Sequence, residues 1–252
     1  MANIFVSIPI LGKPELRMMY SLYQAIHTCG EHRVRLYYNE NDSLISRVRN
    51  VHLTAFYNDY PECDYFVSLD SDIEIVNCFN TNNIFTKLLS HNLDFVGGLY
   101  ALKSTEDVKC SSIPMDHDSP LEFDSGLREM RWLSSGCWCL KRDMVTKMID
   151  AYPNLIYDGD DNASGKKVFG FYIPTLVDLE ARDENGNIKK CRKYLSEDWS
   201  FAERWRKIGG KIFADTSIAL RHIGKRDFNL WNVSVEVKQK PPEPGFNLQE
   251  TK

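Results

Sequence analysis

Residues 1–100 alternate between two kinds of hydrophobic pattern, and this alternation restricts the fold more than any other feature of the chain. Short apolar runs, typical of buried strands, are separated by segments in which apolar residues recur at helical spacing. Such an alternation predicts a mostly parallel sheet with helices on both faces. The predicted strands cover residues 3–11, 32–41, 64–75 and 94–100, and the predicted helical segments lie within 12–30, 42–59 and 82–91.

Beyond residue 100 the alternation weakens. Residues 103–130 are polar and rich in turn-forming residues, which favours a loop or hairpin over a site. We expect one α/β domain over residues 1–235 and a loosely ordered tail over 236–252. The later segments predict a strand and a helix over 131–152, two strand-like runs within 157–190, a helix over 196–210 and a final strand pair over 211–224.

Composition excludes several classes of protein. The formal net charge of -4 gives no support for binding to nucleic acid or to an anionic membrane surface. No apolar run approaches the roughly 18 residues of a membrane span, and the first strand lacks the basic flank of a signal peptide. Seven cysteines without framework spacing favour reduced thiols. These features predict a cytoplasmic protein, and its oligomeric state is not readable from them.

Three acids lie at alternate positions of the predicted strand 64–75, namely Asp70, Asp72 and Glu74. Alternate side chains of a strand share a face, and at about 6.6 Å two carboxylates repel by about 2–3 kcal/mol at an effective dielectric constant near 20. Ligands of parallel sheets bind at the carboxyl ends of the strands. Mg²⁺ or Mn²⁺ bound by one or two carboxylates and by phosphate oxygens of a substrate would offset the repulsion.

Two other interpretations of these acids are open. One is a solvated acidic turn, which the apolar residues on both sides make less favourable. The other is a phosphatase of the haloacid dehalogenase type, which also begins with Asp-x-Asp after a strand. That class needs a small Thr or Val where Glu74 stands, and its motif usually follows the first strand of the fold rather than the third.

Glu197 and Asp198 open the predicted helix 196–210, where the helix dipole and free N–H groups favour ionised carboxylates. They flank the buried face of that helix on a helical wheel. An ionised Asp beside a site can accept a proton from an attacking hydroxyl. The alternative is stabilisation of the helix start alone, which is very common.

Four further positions each have a functional and a structural interpretation. His222 closes a late strand, where a lone His is more often structural than a ligand. Gly136 lies in a strand, and it indicates either close approach by a ligand or a bulge. Arg47, with Arg49 on the same helix, suits phosphate or ribose oxygens, or else faces solvent. Lys225 contacts phosphate or only water.

The order of these elements along the chain resembles that of the GT-A-fold glycosyltransferases, which transfer sugars from nucleotide donors. The resemblance covers roughly residues 3–224 and is weak over 101–130 and 157–190. The matching elements are Asp70-Ser71-Asp72 for the Asp-x-Asp motif, Gly136 for the glycine-containing loop near the acceptor, Ser196-Glu197-Asp198 for the x-Glu-Asp motif and His222 for the C-terminal His.

The resemblance implies a Rossmann-like sheet with a nucleotide-binding half, 1–100, and a smaller acceptor-side half, 101–235. It implies transfer from a nucleoside-diphosphate sugar, UDP favoured over GDP, to a hydroxyl acceptor such as a glycan. It further implies that Asp72 and His222 bind Mn²⁺ or Mg²⁺. Asp70 would contact the ribose or donor sugar, either directly or through water on the metal.

By the same resemblance, Pro9 and Arg47 would lie near the nucleoside and Asp198 would be the catalytic base. A base at this place favours inversion at the anomeric carbon, although retaining members of the fold can carry an acid there. A nucleotidyltransferase is an alternative, but the loop after the first strand, residues 8–16, has one Gly and two Pro. A non-catalytic carbohydrate-binding relative is a second alternative. Such a protein would not require acids at 70, 72 and 198 together with His222.

Overall fold

The computed structural model of the protein describes residues 1–40, 42–78, 83–104, 109–116, 121–122, 126–160, 163–182, 188–224 and 227–229. The predicted loosely ordered tail, 236–252, lies outside these residues, as does Lys225. No helix in the described part of the chain is both long enough and apolar enough to cross a membrane.

The described elements follow the predicted alternation through the first half of the chain. The strands are β1 (Asn3–Ile10), β2 (Arg33–Glu40), β3 (Tyr65–Leu69), β4 (Ile73–Cys78), β5 (Phe95–Leu99), β6 (Ile113–Pro114), β7 (Leu127–Trp132), β8 (Cys137–Lys141), β9 (Ile156–Asp158), β10 (Lys167–Phe169), β11 (Thr175–Arg182), β12 (Ile188–Leu195), β13 (Phe213–Ile223) and β14 (Asp227–Asn229). The helices are α1 (Leu16–His27), α2 (Ile45–Asn58), α3 (Ile84–Ser90), α4 (Arg142–Ala151) and α5 (Glu197–Lys207).

A large central sheet has the strand order β2-β1-β3-β8-β5-β13-β7-β6, and β4 and β14 also pair with β13. The strands β1, β2 and β3 are mutually parallel, and β5 is parallel to β13. Between these two groups β8 runs antiparallel to both β3 and β5, so β5 and β13 point in the same direction as β1. The predicted α/β class, with a mostly parallel central sheet flanked by helices, is confirmed.

The first strand shows why its sequence is apolar at nearly every position. Phe5 packs into the hydrophobic cluster on one face of the sheet, whereas Ile4, Val6 and Ile8 pack into the cluster on the other face. All four side chains are at most 2% exposed. A central strand covered by helices on both sides must be apolar on both faces, because neither face meets water.

The prediction of one strand over residues 64–75 is wrong. The chain forms β3, turns at Asp70–Asp72 and then forms β4, which pairs antiparallel with β13. The Ile73 amide donates to the Asp70 carbonyl at 3.0 Å and closes the turn. Glu74 therefore does not extend the row of acids, and its carboxylate pairs with Arg17 at 2.7 Å and with Arg221 at 2.9 Å.

The predicted strand pair over 211–224 is also wrong, because this segment forms one long strand, β13. Its register against β5 shifts between Asp215 and Ala219. The buried Asp215 carboxylate accepts hydrogen bonds from the Ser217 amide at 2.9 Å and hydroxyl at 2.6 Å, and its other oxygen lies 2.6 Å from His91. This irregularity lets β13 pair first with β5 and then with β4, so that His222 reaches the turn after β3.

Candidate functional site

The turn after β3 lies at the carboxyl ends of the parallel strands, where ligands of such sheets bind. Two backbone hydrogen bonds fix it. The Asp70 amide donates to the Gly136 carbonyl at 3.0 Å, which ties the turn to the segment before β8. The Ile223 amide donates to the Asp72 carbonyl at 2.8 Å, which ties it to the end of β13. The position of both aspartates is therefore set by strands that are distant in sequence.

Asp72 meets two potential cations. Its Oδ2 atom lies 2.6 Å from Nζ of Lys103 and 3.4 Å from Nε2 of His222. Burial raises the pKa of the Asp72 carboxyl, but hydrogen bonds to His222 and Lys103 outweigh burial and lower the pKa to about 2. Asp72 is therefore ionised at neutral pH.

His222 is oriented as a metal-binding histidine would be. Its Nδ1 atom lies 2.9 Å from the Ala101 carbonyl, which can only accept, so Nδ1 carries the proton. In the neutral ring Nε2 then holds a lone pair, and it faces the Asp72 carboxylate. A cation placed between this nitrogen and the carboxylate would be attracted to both groups. A backbone carbonyl that fixes the tautomer is the usual partner of a metal-binding His.

The chemistry of this pair fits a divalent cation. Carboxylate and imidazole both bind Mn²⁺, and Mg²⁺ accepts one or two carboxylates with substrate oxygens and water in the other positions. Within the described ranges, no group of three or more His, Cys, Asp and Glu side chains is arranged to hold a metal. The predicted set of Asp70, Asp72 and His222 is thus not assembled as one cluster. Asp72 and His222 form the pair, and Asp70 is engaged elsewhere.

Asp70 is held by Arg49, which lies almost completely buried on α2. Nη2 of Arg49 donates to the two carboxylate oxygens of Asp70 at 2.9 and 3.0 Å, and Nη1 donates to the Ser68 hydroxyl at 3.2 Å. Nε of Arg49 lies 3.6 Å from Oε1 of Glu197. Burial lowers the pKa of the guanidinium, but Asp70 and Glu197 raise it by more, so Arg49 stays charged.

The predicted interpretations of this helix placed its arginines against phosphate or solvent, and the role of Arg49 was missed. A sequence signal for it exists. Arg49 lies one and two turns before Leu53 and Phe56, which are both buried, so helical spacing places all three on one face. A charged residue on such a face needs a buried partner.

Asp198 lies in the first turn of α5, as predicted. Its Oδ1 atom accepts hydrogen bonds from the Ser196 hydroxyl and, at 2.7 Å, from the Trp199 amide. These bonds hold the carboxylate in one orientation. Burial raises the pKa of the Glu197 carboxyl, and the neighbouring Asp198 raises it further.

The site carries more negative than positive charge around Arg49. Burial raises the pKa of Asp70, and Asp72 and Asp198 add to this effect, while Arg49 opposes it. With Glu197, four carboxyls therefore lie within electrostatic range of one another. An arrangement of this kind favours binding of a further cation.

Gly136 makes room for a neighbouring side chain. A Cβ atom at this position would lie 2.7 Å from ring atoms of Tyr100. The Tyr100 hydroxyl accepts a hydrogen bond from the Gly136 amide at 3.1 Å, and the ring contacts His222 edge-on at 5.4 Å between centroids. The missing side chain thus allows Tyr100 to pack beside the His222 imidazole. The position of Gly136 near an acceptor stays a prediction.

Pro9 lies near the end of β1, and Arg47 lies near the start of α2. Pro9 pairs in register with Asn39 of β2. Arg47 donates to both carboxylate oxygens of Asp42, each at 2.9 Å. Arg47 borders a small cavity of about 40 Å³. The cavity is lined by Tyr37, Asn39, Asp42, Arg47, Val48, Val51, His52 and Asp160.

Two buried polar atoms in this cavity lining, Oδ1 of Asn39 and Nε2 of His52, have no hydrogen-bond partner among the described residues. The other ring nitrogen of His52 lies 2.8 Å from the Ser7 hydroxyl. Burial, with a smaller effect of Arg49, lowers the pKa of His52 to about 3. The imidazole is therefore neutral, and a polar ligand edge or a water molecule would satisfy both atoms.

The buried, neutral His52 should make the stability of the folded protein depend on pH. Its pKa of about 3 in the folded protein lies below the roughly 6.5 of an exposed His, so protonation favours the unfolded chain. The stability that the neutral His52 contributes is fully present above about pH 6.5 and is lost as the pH falls towards 3. Between pH 7 and pH 5 the loss from this group should be about 2 kcal/mol, at about 1.4 kcal/mol per pH unit below 6.5.

The measurement is the free energy of unfolding in urea at both pH values for the wild type and His52→Gln. The variant should lose less stability on acidification than the wild type. His27→Gln, at the exposed end of α1, is the matched control and should follow the wild type. Equal pH dependence of the wild type and His52→Gln would show that His52 is not the buried neutral group.

Comparisons with known proteins reveal likeness in structure. No family model and no curated protein matches the chain. The crystal structure of A197 from STIV matches over 91% of this chain and 94% of its own, with a TM-score of 0.52 and 15% sequence identity. At this identity the likeness shows a shared fold.

Two other solved structures match with lower TM-scores. One is a glycosyltransferase involved in the glycosylation of the major capsid of PBCV-1, with a TM-score of 0.32, 15% identity, and coverage of 59% of this chain and 66% of that one. The other is GalNAc-T7 with UDP, GalNAc and Mn²⁺, with a TM-score of 0.46, 10% identity, and coverage of 90% of this chain and 43% of that one.

Proposed function

We propose that this protein is a metal-dependent glycosyltransferase of the GT-A fold. It would move a sugar from a nucleoside diphosphate, UDP favoured over GDP, to a hydroxyl acceptor with inversion. The observation that carries the proposal is the convergence of Oδ2 of Asp72 and Nε2 of His222, 3.4 Å apart. These atoms come from distant parts of the chain and are aligned by the Ala101 carbonyl and by the hydrogen bond from the Ile223 amide to the Asp72 carbonyl.

In this mechanism Asp72 and His222 would hold Mn²⁺ or Mg²⁺. When bound, the ion would offset the charge that develops on the leaving nucleoside diphosphate. Arg49 neutralises part of the charge on Asp70 and Glu197, and it holds Asp70 in a fixed position for contact with the ribose or donor sugar. The preorganised carboxylates would then bind the donor without rearranging the core.

Asp198 would be the general base. Its carboxylate takes the proton of the acceptor hydroxyl while the hydroxyl oxygen bonds to the anomeric carbon, and the bond from that carbon to the diphosphate oxygen breaks. The Ser196 hydroxyl and the Trp199 amide keep Oδ1 of Asp198 oriented, which leaves Oδ2 for the acceptor. A single in-line displacement inverts the anomeric centre.

The nucleoside would lie near Pro9 and Arg47, beside the cavity that presents Asn39 and His52. An amide oxygen and a neutral ring nitrogen can pair with the polar edge of a base. Lys225 would contact phosphate, and Gly136 would lie near the acceptor. The half 1–100 would bind the donor, and 101–235 would supply the acceptor side.

The test is hydrolysis of a panel of UDP- and GDP-sugars in the presence of Mn²⁺, because many such transferases hydrolyse their donor slowly without an acceptor. We expect Mn²⁺-dependent release of UDP from one or a few sugars. Release of pyrophosphate from nucleoside triphosphates, with no hydrolysis of nucleotide sugars, would support a nucleotidyltransferase instead. Sugar binding with no turnover of any donor would support a non-catalytic carbohydrate-binding protein.

A further inference from the structure

Lys103 contacts the same carboxylate oxygen that would bind the metal. Its Nζ atom lies 2.6 Å from Oδ2 of Asp72, closer than Nε2 of His222 at 3.4 Å. The ammonium group therefore supplies positive charge directly beside the Asp72 carboxylate. Lys103 follows β5 by four residues and lies 31 positions from Asp72 in the chain.

A divalent cation bound to this oxygen would weaken its contact with Lys103. A metal bound to Oδ2 would lie about 2.1 Å from it, and the ammonium already lies within hydrogen-bond distance. A single and a double positive charge at such separation repel strongly. Binding of the metal would therefore favour release of Lys103 from Asp72.

The structure allows the side chain to move while the backbone stays in place. Ala101 pairs with Cys110 in an antiparallel bridge, and the Leu102 amide donates to the Lys109 carbonyl at 2.8 Å. These bonds anchor the backbone next to Lys103. The Lys103 side chain is itself 38% exposed and has a flexible four-carbon stem.

We propose that Lys103 is an exchangeable counter-cation that holds Asp72 in the unloaded protein and moves to the donor diphosphate when the metal binds. The proposal rests on the proposed function, because the diphosphate of the donor is the group that the displaced Lys103 ammonium would bind. A diphosphate bound to the metal brings oxyanions into reach of the displaced ammonium, and Lys is a frequent phosphate ligand.

The exchange makes metal and nucleotide binding cooperative. Without nucleotide, the metal must compete with Lys103 for Asp72, and the released ammonium gains no new partner. With nucleotide, the ammonium gains the diphosphate. Each ligand therefore strengthens binding of the other by the same factor, and couplings of this kind typically amount to about 5–150-fold. Lys103 would thus keep the site from holding free metal before the donor arrives.

The experiment is a titration of Mn²⁺, with free Mn²⁺ measured by electron paramagnetic resonance, in the absence and presence of saturating UDP. The wild type is compared with Lys103→Ala, Lys103→Gln and Lys103→Arg. Lys103→Ala and Lys103→Gln should bind Mn²⁺ alone more tightly than the wild type, and their coupling factor with UDP should be smaller than that of the wild type. Lys103→Arg keeps a cation and should retain weak binding of Mn²⁺ alone.

Lys109→Ala is the matched control, since it removes an exposed lysine near the same bridge without a contact to Asp72. It should behave as the wild type. Unchanged affinity for Mn²⁺ alone in both Lys103→Ala and Lys103→Gln would overturn the exchange. So would metal-free binding of UDP that is lost in these variants, because Lys103 would then replace the metal permanently.

The two proposals fail in different ways. If the wild type binds Mn²⁺ in a UDP-dependent manner but the Lys103 variants show the same coupling factor, only the role of Lys103 is wrong. If neither the wild type nor any variant binds Mn²⁺ with or without UDP, the metal-dependent function falls together with the exchange.

Discussion

Asp72→Ala should abolish sugar transfer and the Mn²⁺-dependent binding of UDP. Asp72 is the only carboxylate among the described residues whose oxygen is within 4 Å of His222, and its removal leaves one protein ligand for the metal. The imidazole alone cannot hold a hard divalent cation that prefers oxygen ligands. Lys103 would also lose its ion-pair partner, so its ammonium group would no longer be held at the site.

The measurements for Asp72→Ala are donor hydrolysis, transfer and UDP affinity with and without Mn²⁺. Asp178→Ala is the matched control, because it removes an exposed aspartate that pairs with Arg192 on the β11–β12 hairpin. The control should keep wild-type activity. Retention of Mn²⁺-dependent UDP binding by Asp72→Ala would show that the metal, if bound, is held elsewhere.

Asp198→Asn should lower turnover by about 10²-fold or more, the usual scale for loss of a general base, and leave UDP binding largely intact. Asn has the shape of Asp, and its oxygen can still accept from the Ser196 hydroxyl and the Trp199 amide. The start of α5 should therefore keep its geometry. Only the ability to accept the acceptor's proton is lost.

Rates of transfer and equilibrium binding of UDP with Mn²⁺ should be measured on the same Asp198→Asn preparation. Glu197→Gln is the comparison, since Glu197 is the adjacent acid and faces Arg49. Its effect on turnover should be smaller than that of Asp198→Asn. Full activity of Asp198→Asn would show that another group is the base.

The first half of the fold could be predicted because its signals are local. Apolar runs and helical spacing depend on neighbouring residues, and the strands β1 and β2 with the helices α1 and α2 all fall inside the predicted segments. The break between β3 and β4 was missed although Asp and Ser are frequent turn residues. The apolar residues on both sides of Asp70–Asp72 suggested one continuous strand.

The strand order could not be predicted. The antiparallel strand β8 lies between β3 and β5, and β13 pairs with strands from both halves of the chain. These pairings join residues far apart in sequence, and they depend on how whole faces pack. No periodic pattern encodes such a choice. The shift of register at Asp215 likewise depends on Ser217 and on His91 of α3.

The candidate site was predicted in part. Asp72 and His222 lie in contact, and Asp70 and Asp198 interact electrostatically, whereas their chemical roles stay predictions. Arg49 was missed despite its helical spacing. Lys103 carries no sequence signal at all, because its partner is defined only once β3, β5 and β13 have assembled.

The late position of β13 has a consequence for biosynthesis. This strand pairs with β4, β5, β7 and β14, and it is completed only at Ile223. A nascent chain emerging from the ribosome would therefore expose an open edge of β5 until β13 has been made. Open strand edges promote association between chains. Chains released before β13 is added should therefore associate with one another more readily than the finished fold does.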